Sequence, residues 1–148
     1  MDIIFIDPPL SVSSSITRDE FLRLFPADRL RAVTPMYYTA SCKISEDFLC
    51  MVGFHFIRAT RNTDFRLEKL ELYPTDSVPT CESFEAFQRY LIATFGPPHV
   101  ADEHRSYPGT QREYPSYQWL FPDAVIYHSL AERYSTEETL VIIYSDNC

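Results

Sequence analysis

The chain has 148 residues, 45% apolar and 15% aromatic, enough to close a hydrophobic core and too apolar for a disordered chain. Its net charge of −8 and pI near 4.9 argue against a binder of nucleic acid or of an anionic membrane. No run approaches the roughly 20 apolar residues of a spanning helix. Met1 to Leu10 carries Asp2 and Asp7 but no basic residue, unlike a secretory signal. The expectation is a single cytoplasmic domain over residues 1–148.

Glycine is scarce (Gly53, Gly96 and Gly109), so eleven prolines do most of the punctuation. Ile3 to Ile6 reads as a short strand closed by Asp7-Pro8-Pro9. Thr17 and Glu20 have capping-box spacing and open a short helix, with Phe21, Leu24 and Phe25 on one face and Pro26 as its limit. Tyr37 to Ile44 is β-rich. Phe48 to Ala59 alternates, with Phe48, Cys50, Val52, Phe54 and Phe56 on one face and Leu49, Met51, His55 and Ile57 on the other. That pattern predicts a central strand covered on both faces. In Phe65 to Tyr73 the apolar parity changes across Glu68-Lys69, as a bulge produces.

A helix is predicted from Glu82 to Phe95, capped by Thr80 or Ser83. Its stripe is Phe84, Phe87, Leu91 and Phe95, and Gly96-Pro97-Pro98 stops it. Residues 99–116 read as polar turns. Strands follow at Tyr117–Phe121, Val125–Tyr134 and Thr139–Tyr144, joined by Pro122-Asp123 and Ser135–Glu138, with Trp119 and Phe121 in the core. The predicted class is α+β: an antiparallel sheet covered by two helices, with a duplicated helix–three-strand meander as its simplest plan. The pseudo-repeat halves would be 1–78 and 79–148.

No catalytic signature stands out. Cys42, Cys50, Cys81 and Cys148 show no C-x-x-C pattern and read as reduced thiols. Cys50 and His55 are a candidate nucleophile pair, but five apart on one strand they point to opposite faces, which counts against it. Cys81 lies near a helix start, where amide dipoles favour a thiolate, but no base accompanies it. The acidic pairs Asp19-Glu20, Glu46-Asp47, Asp102-Glu103 and Glu137-Glu138 read as solvated faces. Asp102-Glu103-His104 lacks the distant partners of a metal site, and three scattered glycines build no phosphate loop. Neither cofactor nor metal is expected.

Charge is shared unevenly. Residues 1–74 hold nine basic against ten acidic side chains, and residues 75–148 hold four against eleven. The acidic half also concentrates tyrosines. Asp102, Glu103, Tyr107, Glu113, Tyr114 and Tyr117 are the expected partner-binding residues, since rings with adjacent carboxylates suit an Arg/Lys-rich partner. Tyr37-Tyr38 is a second candidate patch.

The stretch Phe84-Glu85-Ala86-Phe87-Gln88-Arg89-Tyr90-Leu91, ending in Phe95-Gly96-Pro97-Pro98, carries a resemblance. With Tyr117-Gln118-Trp119-Leu120-Phe121 and Ile126-Tyr127-His128 it resembles small bacterial immunity proteins that neutralise secreted toxins, such as type VI secretion effectors. The resemblance implies a cytosolic monomer or homodimer that binds one toxin tightly and blocks its active site. Those families share no functional residues to carry over. The expected function is therefore a non-enzymatic immunity protein that occludes a cognate basic toxin. The alternatives are a hydrolase-like enzyme using a strand-borne His55 or His128, and an adaptor or chaperone for a secreted effector.

Overall fold

The computed structural model describes residues 1–46, 48–58, 64–75, 79–103, 114–132 and 136–145. Strands β1 (Asp2–Phe5) and β2 (Leu10–Ser13) form a two-stranded antiparallel sheet, joined through a cis Asp7–Pro8 bond. Helix α1 (Arg18–Leu24) and a 3-10 turn at Ala27–Arg29 lead into β3 (Arg31–Thr34), β4 (Tyr37–Ser45), β5 (Phe48–Arg58) and β6 (Phe65–Pro74). Helix α2 (Thr80–Phe95) then precedes β7 (Val100–Asp102), β8 (Ser116–Leu120), β9 (Ala124–Glu132) and β10 (Thr136–Tyr144). The second sheet has eight strands in the order β3-β4-β5-β6-β10-β9-β8-β7, every neighbouring pair antiparallel. The protein is α+β, mainly antiparallel sheet.

Local sequence explains the first helix. Thr17 Oγ1 accepts from the Glu20 amide at 3.2 Å while Glu20 Oε2 accepts from the Thr17 amide at 3.1 Å, the reciprocal capping box that the spacing predicts. Phe21 is fully buried, its ring 4.6 Å from Phe54 and 5.2 Å from Phe56. Leu24 does not share that face as expected: it is 60% exposed, because the buried arc of so short a helix is only wide enough for Phe21 and the following Phe25.

Strand β5 is central, between β4 and β6. Cys50, Val52, Phe54 and Phe56 are buried, but Leu49, Met51 and Ile57 on the other face are exposed, which corrects the expected two-sided cover. The parity break in β6 is a bulge. His55 pairs Lys69 and Phe56 pairs Leu67, which leaves Glu68 as the extra residue.

Helix α2 begins after Pro79, and no side chain caps it. Thr80 is its first residue and Ser83 turns inward, so neither caps the helix as expected. Phe84, Phe87 and Leu91 are buried as the stripe predicts, and Gly96 ends the helix at φ +80°, a conformation glycine adopts without steric cost. The Gly96 carbonyl accepts from Trp119 Nε1–H at 2.8 Å, and Phe95 packs on Phe121, so the helix terminus is fastened to β8.

Three short strands escape sequence reading: β2, β3 and β7. Each half of the large sheet therefore holds four strands after its helix, not three. Residues 136–138 also belong to β10 and not to a connection. Among the described residues no helix is long and apolar enough to cross a membrane.

Candidate binding surface

Beneath α2 lies a sealed polar network. His128 of β9 and Glu138 of β10 have side chains 0% and 1% exposed, and Nε2 lies 2.7 Å from Glu138 Oε2. The Ser83 hydroxyl donates to Glu138 Oε1, and His128 Nδ1 meets Gln88 Oε1 at 2.7 Å. Phe84 stacks on the imidazole at 4.1 Å and 18°, and Phe87 approaches it edge-on. Every polar atom of the pair thus has a partner, which is the condition for burying charge-bearing groups. Glu138 accordingly departs from the expected solvated face. Its parity in β10 is that of Leu140 and Ile142, the core side, while its neighbour Glu137 is exposed.

Over this network runs a groove of about 590 Å³, between α2 and β8. Phe84, Ile92, Ala93 and Tyr117 supply its apolar lining, with Glu85, Gln88 and Arg89 along the helix side. The Tyr117 ring lies 6.3 Å from Phe84 and 6.4 Å from Trp119. Burial pushes the Tyr117 phenol up, and the charge of Glu103 with a hydrogen bond to it adds to the shift. On the opposite flank of α2 a second groove of about 660 Å³ is lined by Phe48, Ala86 and Tyr90 with Glu82, Glu85 and Arg89. Among the described residues beyond Pro79, Arg89 is the only lysine or arginine.

The expected partner-binding residues are therefore divided. Glu103 and Tyr117 are brought together at the groove. Asp102 is exposed at the end of edge strand β7 and pairs Ser116, so strand alternation points it to the opposite face from Tyr117. Tyr114 is only 2% exposed and offers no surface. Tyr107 and Glu113 lie outside the described residues, as do His104 and Cys148. Sequence reading missed Phe84, Glu85 and Ile92 as surface formers. Their helical spacing places Glu85 and Ile92 on one flank of the buried stripe, which is the available signal.

The other strand histidine sits in a half-exposed cluster. The Tyr37 ring stacks on His55 at 4.1 Å and 12° and covers Gly53, while Tyr38 is buried. Glu71 receives Lys69 Nζ at 2.7 Å and the Tyr73 hydroxyl, and lies 3.5 Å from His55 Nε2. Burial lowers the His55 pKa against the opposing charge of Glu71. Burial raises that of Glu71, but the hydrogen bonds from Lys69 and Tyr73 outweigh it and hold the carboxyl below its ordinary value. The cavities above do not touch His55. Cys50 faces the core, opposite His55, its thiol pushed up by burial; Cys42 across from it is pushed up to about 12 by the same cause. Cys81 is exposed.

Among the described residues no group of three or more His, Cys, Asp or Glu is placed to hold a metal ion. Comparison with protein families, with curated proteins and with solved structures returns no match.

Proposed function

We propose that the protein is a non-catalytic inhibitor that binds a basic protein partner, an immunity protein against a cognate toxin, through the groove between α2 and β8. The observation that carries this reading is the pairing of an apolar lining (Phe84, Ile92, Tyr117) with the carboxylates of Glu85 and Glu103. Long-range attraction by the acidic half speeds encounter, and the aromatic lining then receives apolar or guanidinium-bearing side chains. The same reading takes α1 and α2 as a cover on one face of the sheet. It also takes the chain as two copies of a helix–meander unit, each of four strands. Its support is the parallel order α1-β3-β4-β5-β6 and α2-β7-β8-β9-β10, with the last strands of the two halves paired at the centre.

The test is co-expression with the product of the adjacent open reading frame, scored by growth and by co-purification. Rescue of growth with a stable complex is expected. In that complex Glu103→Lys should slow association severalfold and reduce its salt dependence, and Tyr117→Ala should speed dissociation. A complex that forms without abolishing the partner's activity would assign the protein to the adaptor class instead. Unchanged kinetics in both variants would remove the groove from the reading.

A further inference from the structure

The face of the large sheet opposite the core carries a continuous set of large side chains with nothing packed on them among the described residues. Leu49, Met51, Tyr73, Leu120, Tyr127 and Ile143 are all among the exposed large hydrophobics, and all share this face by strand alternation. One cross-strand row spans all eight strands: Arg31, Thr39, Gly53, Glu71, Val141, Tyr127, Gln118 and Val100. Eight strands spaced about 4.8 Å apart, with central strands about 30–36 Å long and short strands at the edges, give the whole face a footprint of roughly 900–1,000 Å². That matches the roughly 800 Å² per partner of a standard stable interface. Several large apolar side chains left exposed on one sheet face, rimmed by polar and charged residues, mark an interaction site.

Charge on this face is arranged by halves. The β3–β6 half presents Arg31, Lys43, Arg66 and Lys69 against Glu68 and Glu71, a net of +2. The β7–β10 half presents Asp102 and Glu137, and its strands contain neither lysine nor arginine. The sheet is therefore complementary to itself after a half-turn about an axis parallel to the strands and passing between β6 and β10. Such a rotation lays the basic half of one copy on the acidic half of another. It sets Arg31 at one edge over Val100 and Asp102 at the other edge. A half-turn about the perpendicular in-plane axis would set like charges together.

We infer that the occupant of this face is a second copy of the chain, in an isologous sheet-on-sheet dimer that buries the exposed apolar side chains and sets Arg31 at one edge against Asp102 at the other. This surface and the α2–β8 groove lie on opposite sides of the sheet, so each stands or falls separately.

Light scattering coupled to gel filtration, over a hundredfold range of concentration, reads the state directly. The expected mass is twice the 17.3 kDa of the chain, falling to the single value on dilution. A mass of 17.3 kDa at every concentration overturns the inference and leaves the face to a different partner. Val141→Glu and, separately, Tyr127→Glu should abolish the dimer, with cooperative urea unfolding confirming that the variant is folded. A folded variant that still dimerises also overturns it, because the contact then lies elsewhere. Arg31→Glu and Asp102→Arg should each weaken the dimer about 2–5-fold, as exposed pairs do, and their combination should restore it. Failure of the double variant to recover overturns the proposed orientation.

Discussion

Two strand histidines meet a glutamate on the neighbouring strand and stack on an aromatic ring at the same 4.1 Å, yet their surroundings give them different physical roles. His128 and Glu138 are sealed under α2, 2.7 Å apart, with Ser83 and Gln88 completing the hydrogen bonds. His55 and Glu71 are 3.5 Å apart on the partly exposed sheet face, where His55 Nε2 is covered and makes no hydrogen bond, and Glu71 is taken mainly by Lys69 and Tyr73. The same residue pair is thus a strut in one half and a minor surface contact in the other. What separates them is the depth of the side chains and the number of hydrogen bonds each pair makes, since removing one member of a sealed network leaves partners that water does not reach.

The largest expected effect follows from that contrast. Glu138→Ala strands His128 and Ser83 in the interior and should cost about 3–5 kcal/mol in urea unfolding. Replacing both partners, with His128→Leu and Glu138→Met together, should recover most of the loss, because no polar group is then left unpaired. A single-variant cost below about 1 kcal/mol would mean that water reaches the pair, and the comparison would collapse.

The stacked rings test the same contrast at smaller scale. Phe84 is buried and closes the network, so Phe84→Ala should cost about 3 kcal/mol. Tyr37 is half-buried over Gly53 and His55, and Tyr37→Ala should cost about 1 kcal/mol by the same unfolding measurement. Equal costs would show that the open face is as tightly packed as the core.

Local signals in the sequence were legible where one segment determines its own structure. The capping box at Thr17 and Glu20, the bulge at Glu68 and the stop at Gly96 all depend on residues within a few positions of one another. The short strands β3 and β7 were not legible. Each is an edge strand exposed along its whole length, so no alternation records it. Leu49, Met51 and Ile57 misled in the opposite sense, because an apolar residue reads the same whether covered by the chain itself or left for another surface. The candidate site suffered most. Glu138 sat beside Glu137 in an acidic pair, and its meeting with a histidine ten residues away is set by the β9–β10 register. Tyr114 and Tyr117 looked alike in sequence; one is buried and the other lines a groove.

The smallest expected effect is a pH dependence confined to the open-face cluster. Burial holds the His55 imidazole below its ordinary value of 6.5, so an unfolded chain takes up this proton before the folded one does. As pH falls below about 6.5 the folded state therefore loses stability, until the folded ring protonates as well. Glu71 acts in the same direction over a lower range. Its carboxyl is held below 4.5, so its contribution is complete above that value and disappears as pH falls through the folded-state pKa. His55→Gln should remove the first step and keep the second. The check is the urea midpoint at pH 7.5, 6.5, 5.5 and 4.5 for the two proteins. The remaining histidines are common to both, so the difference between the curves isolates His55. Wild type should fall more steeply than the variant between pH 6.5 and 5.5. Parallel curves across that interval would show that the ring is as well hydrated in the folded chain as in the unfolded one, and the contrast with His128 would then be sharper still.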